Sequence, residues 1–144
     1  MNALVDTSIW SLAFRRKAED LSARERLLVG ELTELVRDGR ARVLGLVRQE
    51  LLTGINSQAQ FERLRQTLAA FPDEPVSTAD FEAAAKASNQ CLADGTAVSV
   101  VDMLLCAVAQ RRGMSIFSTD ADFVRYARVL PLKLHLVAPR RIIP

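Results

Sequence analysis

The sequence predicts an α/β fold: a parallel sheet covered on both faces by helices, a three-layer α/β/α domain. Short apolar runs of strand length alternate with longer segments whose apolar residues recur at helical spacing, the pattern of strands joined by helical crossovers. The 144 residues, 49% hydrophobic and 25% charged, suffice for one domain with a substantial core, and no repeat, low-complexity tract or linker divides residues 1–144.

In chain order, Ala3-Leu4-Val5 reads as a buried strand ending at Asp6, and Thr7 to Phe14 as the helix it feeds. Ser22 to Arg37 is a one-sided helix with apolar residues at 27, 28, 32, 35 and 36, opened by a Ser22/Glu25 capping box and stopped by Asp38-Gly39. Residues 42–46 form a second short strand and 47–54 a short helix closed by Gly54. Two helices follow, Ser57 to Phe71 and Thr78 to Ala93, with room for a third brief strand at the Pro-Asp-Glu-Pro-Val stretch between them. Asp94-Gly95 introduces an apolar helix ending at Arg112-Gly113. Residues 115–118 and 132–137 then read as strands, separated by a helix from about Asp120 to Val129.

Composition excludes several classes of function. No apolar run reaches the roughly 18 residues of a membrane span, because Asp102 and Arg111 interrupt the best candidate. Cys91 and Cys106 follow no metal or redox spacing and suit small core residues in a reducing, cytoplasmic setting. One histidine, His135, lies inside a strand pattern, which argues against a two-histidine ribonuclease mechanism and a Ser-His-Asp triad. No Gly-rich nucleotide cradle is present. Net charge is only +2, yet 16 of the 19 basic residues are arginines, in clusters such as Arg15-Arg16-Lys17, Arg111-Arg112 and Arg140-Arg141. Guanidinium suits phosphate, but a compositional bias explains the same count, so charge alone does not select a nucleic-acid partner.

Polar residues just after parallel strands mark the functional crevice, and in this chain they are carboxylates. Asp6 follows the first strand, Asp120 follows residues 115–118 after one threonine, Glu50 lies in the short helix past the second strand, and Asp122 is two residues beyond Asp120. Asp102 is the only charged residue between Val98 and Ala109, and its helical neighbours Val98, Leu105, Cys106 and Ala109 are all apolar. Two such carboxylates about 4 Å apart repel by roughly 4 kcal/mol at an effective dielectric near 20, so convergence calls for a cation. Oxygen ligands without histidine or thiolate select Mg²⁺ or Mn²⁺, ions that serve phosphoryl chemistry. A plainer reading stands beside this one: Asp6 and Asp120 as helix caps, Glu50 as an exposed helix charge, and Ser99/Asp102 and Thr119/Asp122 as capping boxes.

Four stretches, MNALVDTSIW at the start, VRQELLTG (47–54), VVDMLLCAVA (100–109) and FSTDADF (117–123), resemble in order and spacing the motifs of PIN-domain ribonucleases, above all VapC-type toxins of bacterial toxin–antitoxin pairs. The likeness spans Ala3 to about Tyr126. It implies a PIN-like domain with a mostly parallel sheet of about five strands and a catalytic quartet of Asp6, Glu50, Asp102 and Asp120. Within the quartet it implies Asp6, Asp102 and Asp120 as metal ligands. Asp122, Thr7 and Thr119 fall on auxiliary positions, and Met103 and Cys106 depart from the aliphatic residues or alanine usual in the family. The resemblance further implies Mg²⁺, with Mn²⁺ as a substitute, an RNA substrate, a homodimer and a small antitoxin protein that blocks the crevice.

The function expected is a metal-dependent endoribonuclease. An RNA-processing nuclease outside a toxin–antitoxin system and a non-catalytic RNA- or protein-binding PIN module are the alternatives, although a phosphate-binding surface gains nothing from four converging negative charges. A receiver-type phosphotransfer domain would want paired acids at the first strand end and a late lysine outside a strand. Asp6 stands alone and Lys133 lies inside one.

Overall fold

A computed structural model describes residues 1–137; the Arg140-Arg141 pair lies outside them. Strands β1 (Ala3–Val5), β2 (Ala41–Arg42) and β3 (Ser115–Phe117) form a parallel sheet in the order β2-β1-β3. Around it run helices α1 (Thr7–Phe14), α2 (Ala23–Arg37), α3 (Gly45–Leu52), α4 (Gln58–Leu68), α5 (Thr78–Ala93), α6 (Val100–Arg112) and α7 (Asp122–Tyr126). Helix α1 packs on α2 and α3, α3 on α4, and α5 on α6, while α6 also lies against β1 and β3. The chain leaves central β1 for β2 on one side and later returns to β3 on the other. Order therefore reverses at β1, and the carboxyl ends of β1 and β3 flank the switch point where parallel sheets place their sites.

The sheet is narrower than the five strands expected. Its outer positions are single parallel bridges, Val43 with Asp73 and Ile116 with Leu134. Pro72 and Pro75 flank the first and lack N–H groups, so only the Glu74 N–H to Val43 carbonyl bond of 2.8 Å is made there. On the other edge, three-residue β3 offers Ile116 alone, which bonds the Lys133 carbonyl and the His135 N–H, both at 2.8 Å. The second strand is also displaced: β2 stops at Arg42, and α3 starts at Gly45 rather than 47. Arg48 explains the early start, since its guanidinium reaches the Asp73 carboxylate at 2.8 Å, the Leu68 carbonyl at 2.8 Å and the Phe71 carbonyl, pinning the first turn of α3 to the 68–73 segment. Helix α4 ends at Leu68 and α7 at Tyr126, each continuing in turns where the sequence pattern suggests a longer helix.

Capping follows the sequence closely at α2, where Ser22 and Glu25 bond reciprocally, and at α6, where Gly113 closes the helix at φ 63°. The core is continuous from β1 to α6. Ala3, Leu4 and Val5 are fully buried, as is Trp10, whose indole N–H donates to the Val5 carbonyl at 3.1 Å while its ring stacks on Phe14. Trp10 is thus core, while Phe14, one helical turn on, is only partly buried. Cys91 and Cys106 are buried free thiols, and His135 pairs with Glu31 at 2.7 Å, a structural contact.

One buried charge ties the α5–α6 pair together. Asp80, 1% exposed, accepts from the Ser77 backbone and hydroxyl in a capping box and from Arg111 at 2.9 Å and Arg112 at 2.7 Å. Burial acts to raise its pKa, but the Ser77 hydrogen bonds and the two guanidinium groups outweigh it and hold the carboxyl below its usual range. Its contribution to stability is therefore complete above the ordinary aspartate pKa of about 4 and is lost as pH falls through the lowered native value. Arg112→Ala should destabilise the protein by about 2 kcal/mol at neutral pH in urea titrations, with the difference from wild type shrinking as pH falls below the ordinary aspartate pKa of about 4.

Candidate metal centre

Asp6 reaches the crevice because the three-residue strand β1 ends there, held by its N–H donating 2.9 Å to the Phe117 carbonyl of β3. It precedes α1 without capping it. Instead its Oδ2 accepts from two hydroxyls, Ser8 at 2.9 Å and Ser118 at 2.7 Å. Ser118 Oγ also accepts the Asp120 N–H at 2.9 Å, and Ser8 Oγ the Thr119 N–H at 3.0 Å. Two serines thus lock the ends of β1 and β3 together and fix the direction of Asp6, which is only 8% exposed.

Asp102 opens α6. Ser99 accepts its backbone N–H at 3.1 Å, but the reciprocal half of the expected capping box is missing because the Asp102 carboxylate turns away to take the Tyr126 hydroxyl at 2.9 Å. Burial raises the Asp102 pKa, opposed by the Tyr126 and Ser99 hydrogen bonds and reinforced by the charges of Asp6 and Asp120. The Tyr126 phenol is pushed up by burial and by Asp102, so it remains a proton donor. Behind Asp102, every residue from Met103 to Ala109 is buried, which seats the helix start rigidly against the sheet.

Glu50 projects from α3 and accepts from the Thr7 hydroxyl at 3.3 Å. Partial burial raises its pKa; Thr7 lowers it, and the charges of Asp6 and Asp102 raise it further. Asp120 is exposed, and its Oδ1 accepts the Asp122 N–H at 2.9 Å; this short turn replaces the Thr119/Asp122 capping box. Thr119 is exposed and contributes its backbone N–H to Ser8. Asp122 pairs with Arg125.

Oxygen atoms of Asp102, Asp120 and Asp122 lie within 4.8 Å of one another. A hard divalent ion with ligands near 2.1 Å spans ligand pairs of up to about 4.2 Å, so small side-chain rotations close this trio around one. Asp6 lies close enough for its charge to act on both Asp102 and Glu50, and Asp102 close enough to act on Glu50. Among the described residues, none of Asp6, Glu50, Asp102 and Asp120 has an arginine or lysine partner, although buried Asp80 and half-buried Glu74 each have two. Sequence reasoning passed over Ser8, Ser118 and Tyr126. Ser118 carried a signal as the first polar residue after β3, and Tyr126 as the chain's only tyrosine, one helical turn from Asp122.

A parallel α/β/α domain with carboxylates gathered at its topological switch point belongs to the class of acidic-crevice domains. The PIN domain family profile matches residues 3–129. The chain is 30% identical over 132 residues, 90% of its length and 95% of the relative's, to VapC ribonuclease Mb1587 of Mycobacterium bovis, and equally to Ribonuclease VapC11 of Mycobacterium tuberculosis. Among solved structures it resembles FitAcB from Neisseria gonorrhoeae, with a TM-score of 0.73 at 15% identity over 92% of this chain and 96% of that one. It also resembles VapBC2 from Rickettsia felis bound to a DNA fragment from their promoter, at 0.69 and 13% over 94% and 98%. The chain belongs to the PIN-domain family, among its VapC-type members.

Asp102→Asn keeps an acceptor for Tyr126 while removing one of the clustered charges. The folded-state pKa of Asp102 is raised, so ionisation at neutral pH costs the fold stability that the variant recovers. In metal-free buffer its melting temperature should equal or exceed wild type, and saturating Mg²⁺ should raise wild type more than the variant.

Proposed function

We propose that this protein is a divalent-metal-dependent endoribonuclease, the toxin of a toxin–antitoxin pair, acting with Mg²⁺ or Mn²⁺. The carrying observation is the set of four carboxylates at one crevice without a cationic partner among the described residues. Asp6, Asp102 and Asp120 would hold the ion, assisted by Asp122 once it exchanges its Arg125 contact. Such an ion supplies Lewis acidity, activating water and neutralising charge that develops on the phosphodiester.

The chain's own groups do the positioning. Ser8 and Ser118 aim Asp6, and Tyr126 aims Asp102. Glu50 has Oε1 engaged by Thr7, leaving Oε2 to take a proton from the attacking water, and its raised pKa suits a group that then returns that proton to the leaving alcohol. Support for RNA as the substrate comes from the ribonuclease relatives, and support for a small antitoxin partner from the VapBC toxin–antitoxin complexes among its structural neighbours. The homodimer rests on the family resemblance.

Purified protein should cleave single-stranded RNA with Mg²⁺ or Mn²⁺ and stop with EDTA. Asp6→Asn and Asp102→Asn should each lower the rate by at least about a hundredfold at unchanged fold. Undiminished cleavage with chelator, or by either variant, refutes the metal assignment; tight RNA binding without turnover under either ion marks a binding module instead.

A further inference from the structure

A sizeable cavity lies beside the acidic crevice rather than in it. It is a groove of about 780 Å³ between the end of α1, the loop after α3 and the face of α4. Arg15, Arg16, Lys17 and Arg63 line it, together with Phe14 and several uncharged polar residues, and no carboxylate does. Arg16 is engaged by Glu25, whereas Arg15, Lys17 and Arg63 are exposed and have no acidic partner among the described residues.

Its position ties it to the crevice through two helices. α1 starts at Thr7, beside Glu50, and reaches Arg15 eight residues later, about 12 Å at helical rise. The loop that floors the groove begins at Gly54, four residues past Glu50, where φ of 84° turns the chain sharply out of α3. Negative charge is thus concentrated at the strand ends and positive charge in the groove next to them. A crevice of four or five carboxylates repels a polyanion, so any nucleic acid cut there must draw its affinity from elsewhere.

We infer that this groove is the track for the RNA strand on one side of the cut, with Arg15, Lys17 and Arg63 contacting phosphates a few nucleotides from the scissile bond. Phe14 suits the same role: one face is stacked on Trp10 at 5.8 Å and the ring is only partly buried, leaving it placed to stack a base. This rests on the ribonuclease reading for the cut itself, but the groove's affinity for a strand can be measured without cleavage.

The test uses the full chain with Arg15→Ala, Lys17→Ala and Arg63→Ala combined. Binding of a single-stranded RNA oligonucleotide is followed against salt in EDTA, and hydrolysis of long RNA and of bis-para-nitrophenyl phosphate with Mn²⁺. The expected result is a salt slope smaller by roughly 2, about 0.7 for each phosphate no longer neutralised, and a KM for long RNA at least about tenfold higher with kcat and small-diester hydrolysis retained. An unchanged slope and KM in a variant that still cleaves refutes the groove while leaving the nuclease reading intact. Absence of cleavage by wild type, with the slope still reduced in the variant, refutes the nuclease reading and keeps the groove. Unchanged RNA affinity together with abolished binding of polyglutamate reassigns the groove to an acidic protein segment and overturns the inference.

Discussion

Mutual repulsion among Asp6, Glu50, Asp102 and Asp120 is the constraint around which this fold is arranged. Each pair of such charges near 4 Å costs roughly 4 kcal/mol at an effective dielectric near 20, comparable to a large part of a domain's net stability. Elsewhere the protein resolves shielded charge conventionally: buried Asp80 and half-buried Glu74 share Arg112, and each has a second arginine. Among the described residues, the compensation of Asp6, Glu50 and Asp102 at the crevice comes from neutral donors, Ser8, Ser118, Thr7 and Tyr126. Hydroxyls orient carboxylates without cancelling their charge, which leaves the site poised for a cation.

Holding repelling groups together requires stiff supports, and each carboxylate has one. Asp6 ends the fully buried central strand, Asp102 begins a helix buried from Met103 to Ala109, and Ser118 joins Asp6 to the backbone of Asp120. Glu50 is steadied from α1 by the Thr7 hydroxyl, and Tyr126 closes the arrangement from α7. Short elements serve this purpose well: strands of two or three residues bring α1, α3 and the α7 turn to one edge within a small sheet.

The layout of this site was readable because its parts are local. A strand ending in a polar residue and a helix with one misplaced charge are patterns of a few residues; they put Asp6 and Asp120 at one sheet edge with Glu50, Asp102 and Asp122 able to converge there, and the family resemblance singled out the quartet of Asp6, Glu50, Asp102 and Asp120. What escaped was set by interactions distant in sequence. Asp102 looked like half of a capping box with Ser99, and only Tyr126, 24 residues away, explains why its carboxylate points elsewhere. Strand 42–46 gave way to an early helix because Arg48 is drawn to carbonyls 20 and 23 residues on. The outer strands dwindled to single bridges where prolines and a three-residue neighbour removed their hydrogen bonds. Asp122, readable as a cap or as an assistant ligand, is brought within reach of Asp102 and Asp120 while paired to Arg125.

Charge segregation between crevice and groove also shows why a net charge of +2 said little about partners: opposite patches cancel in the total. The chemistry turns on whether the unpaired carboxylates share one cation. Anomalous diffraction from crystals soaked in Mn²⁺ tests this most directly. The arrangement predicts a peak bounded by Asp102 and Asp120, within ligand distance of Asp6 or Asp122, that disappears in Asp102→Asn. A saturated crystal with no peak there, or with the four carboxylates neutralised by arginine or lysine side chains, would contradict it.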